Sequence, residues 1–148
     1  MEQVHFYNVS VKWDKDRIGN LSSPELNSEI TVATPPEFPK GVAGIWSPEH
    51  LLVAAVNSCL MTTFLSIAEH SRLEFTTFTS HATGKLETVD GKLSISEIEL
   101  KPVLTIINES DKDKALRILN KSEEVCLISN SIKSMIILIP EVKVALSD

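Results

Sequence analysis

One long apolar segment, Leu51 to Ala68, constrains the fold more than any other feature of this chain, because a helix made from it would be apolar nearly all round. Ser47 suits the N-cap, Pro48 the first helical position and Glu49 the positive end of the helix dipole. We therefore predict a helix from residue 47 to about 70. A helix of this composition is buried on most sides, and a partner subunit could supply cover that so short a chain lacks.

Alternating segments on both sides of this helix predict strands. Residues 4 to 13 place Tyr7, Val9, Val11 and Trp13 on one face, which is typical of a half-buried strand. The other predicted elements are strands at 18–23 and 28–34, a Pro- and Gly-rich loop at 35–44, strands at 74–88 and 93–107 joined by an Asp-Gly turn, a helix capped by Ser110 that ends near Glu124, a short helix at 126–132, and a strand at 134–146.

Two strands of this pattern are irregular. The alternation within 93–107 changes phase at Ser96 and Glu97, which predicts a β-bulge. Pro140 cannot donate a ladder hydrogen bond, so it demotes the last strand to an edge or bulged position. Strands that cluster before and after one long helix indicate the α+β class, and the length predicts one domain over residues 1–148.

The composition argues against several classes of protein. With 14 basic and 20 acidic residues the formal charge is -6, which does not suit a nucleic-acid surface or an anionic membrane. The chain starts without a signal-peptide pattern and has no uninterrupted apolar run of about 18 residues, so we expect a cytoplasmic protein that does not span a membrane. The four histidines lack ligand spacing, and we expect neither a metal nor another cofactor.

The chain has two cysteines, Cys59 and Cys126, which lie 67 residues apart. In the cytosol a cysteine pair stays reduced unless its task is redox chemistry. Cys59 falls in the middle of the long predicted helix and Cys126 just beyond the end of the second. Taken alone, each fits a small buried core residue at least as well as a reactive thiol.

Two charged residues could support a reactive thiol. A guanidinium such as Arg17, in the first predicted turn, would lower a neighbouring thiol's pKa, although a solvated arginine is the commoner case. Glu49 is equally explained by the helix dipole. Because Glu49 and Cys59 are ten residues apart, about 15 Å along one helix, they cannot touch within it. A site that uses both would be shared between two copies of the helix packed across a two-fold axis.

Two motifs give the cysteines a context. Residues 47–59, Ser-Pro-Glu-His-Leu-Leu-Val-Ala-Ala-Val-Asn-Ser-Cys, resemble the helix of the OsmC/Ohr family of osmotically inducible and organic hydroperoxide resistance proteins, which starts with N-P-E, continues with a pair of alanines and leads to a cysteine. Residues 126–132 resemble that family's C-x-x-S-x-x-L/I motif, and the order of elements also fits. The sequence departs from the family at Leu127, where many members have proline, and at Ser47, where asparagine is usual. These departures leave the peroxide preference open.

The resemblance implies an OsmC-like α+β fold with antiparallel sheets around long central helices, in an intertwined homodimer with its sites at the subunit interface. It also implies a thiol peroxidase that reduces organic hydroperoxides. Cys59 would be the peroxidatic cysteine and Cys126 the resolving one. Glu49 matches the motif's glutamate, and Arg17 is the best match to the family's site arginine.

On this basis the Cys59 thiolate would become a sulfenic acid, Cys126 would form a disulfide with it, and a dithiol such as a lipoyl group would reduce that disulfide. Phe38 and Trp46, in or next to the loop, would line an alkyl pocket or simply cover the core. Two alternatives stay open. One is a redox-linked enzyme on the same fold that does not use peroxide, and the other is a binding module whose cysteines are core residues.

Overall fold

The computed structural model describes residues 2 to 146, which form two compact units, one up to Leu51 and one from Leu52 onward. The predicted α+β class is confirmed, whereas the single domain stays a prediction. The elements are β1 (Ser10–Lys15), β2 (Ile18–Ser22), β3 (Ile30–Ala33), α1 (Pro48–His70), β4 (Phe75–Val89), β5 (Lys92–Ile106), α2 (Lys112–Glu124), β6 (Met135–Leu138) and β7 (Glu141–Val144), with short 3-10 turns at Glu109–Asp111 and Ser129–Ser131.

The first unit is built on a three-stranded antiparallel sheet in the order β1-β2-β3. The predicted first strand was too long, because residues 4 to 9 lie outside it. Its apolar face is also not half-buried: Tyr7, Val9, Val11 and Trp13 are 67–85% exposed in the single chain. Alternation shows that a strand has an apolar face, but it cannot show what packs against that face.

The second unit is organised around β5. The β4–β5 hairpin turns at Asp90 and Gly91, whose φ angles of 49° and 78° are the left-handed pair that a two-residue hairpin loop requires, as predicted. On its other edge β5 pairs with β6 and β7, and both pairings are parallel. The expected antiparallel pairing holds within β1-β2-β3 and between β4 and β5, while this edge of β5 is parallel. The chain returns through the helix α2, and a helical crossover brings the next strand back in the same direction.

The predicted irregularities in the sheet are confirmed. Lys85 pairs with Glu97 and Leu86 with Ile95, so Ser96 is the extra residue of a bulge in β5. Pro140 interrupts the last predicted strand and separates β6 from β7.

Two predicted helices are shorter than expected. Ser110 lies in a 3-10 turn rather than at a helix cap, and α2 begins at Lys112. The predicted short helix at 126–132 is only the 3-10 turn Ser129–Ser131.

One stripe of α1 forms the core of the second unit. Its buried side chains are four residues apart and pack on the buried side chains of β5, which alternate along that strand. The predicted burial of α1 on most sides is wrong for the single chain, since Met61 and Leu65 are about 40% exposed. By length and composition α1 could also cross a bilayer, a test that a core helix passes equally well. The buried residues are Val56, Leu60, Phe64 and Ala68 on α1, and Ile98, Leu100, Pro102, Leu104 and Ile106 on β5.

Gly84 on β4 leaves room for the side chain of Val53 on α1. A Cβ atom at this position would lie 2.5 Å from Cγ2 of Val53. We expect Gly84→Ala to lower the free energy of unfolding by about 1–3 kcal/mol, because the stiff β-branched valine cannot move aside. Urea unfolding would measure this, and Val53→Ala is the matched variant. The double variant should lose less than the sum of the two singles, and additive losses would contradict the clash.

Candidate functional site

Cys59 lies in the middle of α1, next to the buried stripe. Its side chain is half-buried, and its Sγ lies 3.8 Å from Oγ1 of Thr63, one helical turn further on. The same helix that packs on β5 thus holds the thiol at the boundary between core and surface. This position suits a thiol that has to be both held in place and reached by a substrate.

Cys126 follows directly on the end of α2. The main-chain N–H groups of Val125 and Cys126 donate to the carbonyls of Lys121 and Glu123, which closes the last helical turn. The Cys126 side chain is only 1% exposed. The end of α2 therefore turns this thiol into the interior of the second unit.

The fold brings the two thiols together although they are 67 residues apart in the chain. The two side chains lie close enough for each to shift the pKa of the other, and both cysteines are free thiols. Sequence spacing alone could not show this proximity. It is the first condition for a reversible disulfide.

The surroundings of Cys59 favour its thiolate. Burial is the largest single influence and raises the pKa of Cys59, but four hydrogen bonds together outweigh it, and the net pKa lies below that of an ordinary thiol. These hydrogen bonds come from the Cys126 thiol, the Ile128 N–H, the Thr63 hydroxyl and the Leu127 N–H. A thiol that is ionised at lower pH is the more available nucleophile at neutral pH.

The surroundings of Cys126 favour its protonated form. Burial raises the pKa of Cys126, and so do its hydrogen bond to Cys59 and the negative charge there. The hydroxyl and N–H of Ser129 act in the opposite direction without reversing the result. The pKa of Cys59 is thus lowered and that of Cys126 raised, so Cys59 is the first of the two thiols to ionise.

The remaining predicted site residues belong to the first unit, and their roles stay predictions. Arg17 lies in the β1–β2 turn, where its exposed side chain and Trp13 line an open cavity of about 450 Å³. Glu49 lies half-buried in the first turn of α1. The α1 N-terminus is held by Ser47, whose hydroxyl accepts from the His50 N–H at 3.1 Å, as the predicted cap requires.

Phe38 and Trp46 have different surroundings. Phe38 is half-buried within a tight loop turn, where its N–H donates to the Pro35 carbonyl. Trp46 is 53% exposed, its carbonyl accepts from the Ala33 N–H at 2.8 Å, and its ring packs edge-on against His50. Neither is a fully buried core residue, and their predicted contact with substrate stays a prediction.

Sequence reasoning missed the groups that surround the two sulfurs. Thr63 could have been found, since it lies four residues after Cys59 on a helix and therefore on the same face. Ser129 is the serine of the second motif, but nothing in the sequence indicated what it contacts. The N–H groups of Leu127 and Ile128 carry no side-chain signal at all. Among residues 2 to 146, no three His, Cys, Asp or Glu side chains cluster as metal ligands would.

These features define an α+β protein with a paired-thiol site between a core helix and the turn after a second helix. Residues 41–139 match the model of the OsmC-like protein family, and the chain belongs to that family. The uncharacterized protein YmaD of Bacillus subtilis is 24% identical over 151 residues, which cover 99% of this chain and 98% of that protein.

Solved structures share the fold. An OsmC-like protein of unknown function from Vibrio cholerae has a TM-score of 0.83 at 24% identity, covering 93% of this chain and 99% of that one. An organic hydroperoxide resistance protein from Elizabethkingia anophelis has a TM-score of 0.77 at 18% identity, covering 98% and 100%. The predicted OsmC-like fold is therefore confirmed.

The influence of Cys126 on the pKa of Cys59 can be tested by alkylation at different pH values. We expect the pH midpoint for iodoacetamide alkylation of Cys59, followed by mass spectrometry of its peptide, to lie below that of an unperturbed cysteine in a control peptide. Cys126→Ala removes a donor to the thiolate and should raise this midpoint. Cys126→Ser keeps a hydroxyl donor and should raise it less. Identical midpoints in wild type and Cys126→Ala would show that the two thiols do not interact.

Proposed function

We propose that this protein is a cysteine-based peroxidase that reduces organic hydroperoxides. The observation that carries the proposal is the half-buried Cys59 sulfur, which lies beside a second, buried thiol that helps to lower its pKa. Membership in the OsmC-like family supports a redox role for this pair, and one structural neighbour is an organic hydroperoxide resistance protein. Those neighbours are under 25% identical and support the fold, and the proposed chemistry rests on the two thiols.

In the first step the Cys59 thiolate attacks the terminal oxygen of the hydroperoxide. A sulfur–oxygen bond forms and the O–O bond breaks, so the sulfur is oxidised to a sulfenic acid and the peroxide is reduced. The departing alkoxide takes a proton from water and leaves as an alcohol. A lowered pKa favours this step, since the thiolate is the nucleophile.

The second step is prepared by the first. Burial is the largest influence that raises the pKa of Cys126. The hydrogen bond to Cys59 and the negative charge of the Cys59 thiolate raise it further. Oxidation of Cys59 removes that charge, so Cys126 can lose its proton and attack the Cys59 sulfur. A disulfide forms, and the hydroxyl of the sulfenic acid leaves with this proton as water. Because Cys59 ionises before Cys126, Cys59 reacts first with the peroxide and Cys126 reacts second with the oxidised sulfur.

An external dithiol completes the cycle. Two successive thiol–disulfide exchanges return both cysteines to thiols and leave the reductant as its own disulfide. A lipoyl group or another small dithiol has the right chemistry, and a reducing compartment such as the cytoplasm would supply it. No metal or other cofactor takes part in any of these steps.

Arg17 and Glu49 complete the proposed site. The Arg17 guanidinium, held by Glu49, would stabilise the Cys59 thiolate and the developing alkoxide. Phe38 and Trp46 would bind the alkyl part of the peroxide. Since Glu49 and Cys59 are about 15 Å apart along one helix, the Glu49 that serves a given Cys59 comes from a second copy of the chain.

Apolar surface that the single chain leaves uncovered supports a homodimer. Met61 and Leu65 are exposed on the central helix, and the segment that contains Phe6 and Tyr7 is more than 80% exposed at those residues. Exposed apolar surface of this kind is typical of subunit interfaces. A two-fold arrangement would cover it and bring two active sites together.

The peroxidase proposal predicts distinct phenotypes for the two cysteines. With cumene hydroperoxide and a dithiol, Cys59→Ser should lose turnover by at least about 10³-fold, because the nucleophile is gone. Cys126→Ser should still consume about one peroxide per chain and then stall as a sulfenic acid, which dimedone traps. Turnover is measured as peroxide-dependent dithiol oxidation.

Three outcomes would contradict the proposal. Full turnover by Cys59→Ser would remove Cys59 from the mechanism. Dithiol oxidation that proceeds equally well without peroxide would favour a redox enzyme of another kind. Two inert thiols in the wild type, with no sulfenic acid and no disulfide after peroxide, would favour a binding module.

The homodimer is tested by sedimentation. We expect the wild type to sediment at twice the chain mass of 16.4 kDa. Leu65→Asp places a charge on the exposed face of α1 and should yield monomer, because a buried unpaired charge is costly. Leu93→Asp, at an exposed leucine near the hairpin tip, is the matched control and should stay dimeric. A wild type that sediments as a monomer at micromolar concentration would exclude the shared site.

A further inference from the structure

Ser129 carries a buried hydroxyl next to the resolving cysteine that the steps above do not use. It opens the 3-10 turn Ser129–Ser131, three residues after Cys126, and is 9% exposed. Among residues 2 to 146 its Oγ has no hydrogen bond of full geometry. A buried polar atom without a partner destabilises the folded state, so such an atom is often explained by a functional role.

Ser129 follows Cys126 by three residues in one tight turn and acts on the pKa of that thiol. Both its O–H and its main-chain N–H lie where they stabilise negative charge on Cys126. The two preceding N–H groups, of Leu127 and Ile128, instead donate to Cys59. Three consecutive residues thus divide their donors between the two sulfurs, and Ser129 is the one that serves Cys126.

The turn that holds these donors is fixed by its own hydrogen bonds. The Asn130 N–H donates to the Cys126 carbonyl at 3.1 Å, and the Ser131 hydroxyl donates to the Leu127 carbonyl at 2.7 Å. These bonds hold the 126–131 backbone in one conformation. The donors are therefore in place before any negative charge develops on Cys126, which is the condition for electrostatic preorganisation.

We propose that Ser129 is the positioning residue for disulfide formation, and that its hydroxyl and N–H stabilise the thiolate which Cys126 becomes after Cys59 has been oxidised. The inference rests on the proposed peroxidase function and deepens it. In the reduced protein Cys59 is the first of the two thiols to ionise, Cys126 keeps its proton, and the Ser129 hydroxyl has no hydrogen-bond partner among residues 2 to 146.

Oxidation of Cys59 changes this balance. The sulfenic acid carries no charge, so Cys126 gives up its proton and the Ser129 hydroxyl gains a charged acceptor. The Cys126 thiolate then attacks the Cys59 sulfur, the S–S bond forms, the S–O bond breaks, and hydroxide leaves with the released proton as water. If this step is slow, a second peroxide oxidises the sulfenic acid to a sulfinic acid, which dithiols do not reduce.

The test compares Ser129→Ala with Ser131→Ala, a serine of the same turn whose hydroxyl bonds only to a carbonyl. Stopped-flow mixing with cumene hydroperoxide separates sulfenic acid formation from disulfide formation. We expect Ser129→Ala to leave the first phase within about twofold of wild type and to slow the second about tenfold, the effect of one charge-assisted hydrogen bond. Its pH profile for the second phase should move to higher pH, and sulfinic acid should accumulate over repeated additions of peroxide.

A second measurement does not need peroxide. Cys59 is the titratable group that interacts with Cys126, so Cys59→Ala isolates the remaining thiol. In this background, ultraviolet absorbance of the thiolate should give a higher pKa for Cys126 when Ser129→Ala is added, and an unchanged one when Ser131→Ala is added. Ser129→Thr keeps the hydroxyl and should restore the value of the parent.

The outcomes separate this inference from the peroxidase proposal. If peroxide yields no disulfide in the wild type, the peroxidase proposal fails, and the thiolate titration still decides whether Ser129 acts on Cys126. If the wild type forms its disulfide while Ser129→Ala resolves as fast as Ser131→Ala, the role of Ser129 is overturned and the peroxidase proposal stands. An unchanged Cys126 pKa in the titration overturns it as well.

Discussion

The packing of one stripe of α1 on β5 is the interaction on which the rest of this structure depends. Val56, Leu60, Phe64 and Ala68 are each at most 1% exposed, and they meet the alternating buried side chains of β5. This contact fixes the rotation of α1 about its axis. Cys59 then falls directly beside the stripe, where it is neither fully buried nor fully exposed.

Cys126 comes close to Cys59 because the two edges of β5 pair differently. One edge pairs with β4 in a hairpin, and the other accepts β6 and β7 in parallel, so the chain must return along the sheet through α2. The end of α2 and the turn at 126–131 lie on this return path. Cys126 and the donors of the turn are therefore delivered to Cys59 by the topology of the sheet.

The chemistry proposed for the pair follows from an unequal division of donors. Cys59 receives hydrogen bonds from a thiol, a hydroxyl and two N–H groups, which together outweigh the effect of burial. Cys126 is more deeply buried, its pKa is raised, and it therefore keeps its proton. In the proposed mechanism this difference separates the nucleophile from the resolving thiol before any peroxide arrives. Ser129, whose hydroxyl has no hydrogen-bond partner among residues 2 to 146, is proposed to act at the same site.

The sequence by itself determined the local elements of this protein. The Ser-Pro-Glu start of α1, the Asp-Gly hairpin, the bulge at Ser96 and the break at Pro140 were all predicted, because each depends on the conformational preference of a few neighbouring residues. The two cysteine motifs also indicated the family before any fold was known.

Only the tertiary structure decided which distant residues are in contact and which apolar surfaces are covered. It exposed the apolar side of β1, paired β6 and β7 in parallel with β5, and placed Cys126 against Cys59. It also revealed the N–H groups of Leu127 and Ile128 as thiolate donors. Contacts between residues far apart in the chain depend on how whole elements pack, and main-chain groups are the same in every residue. Neither kind of information is written in the local pattern of a sequence.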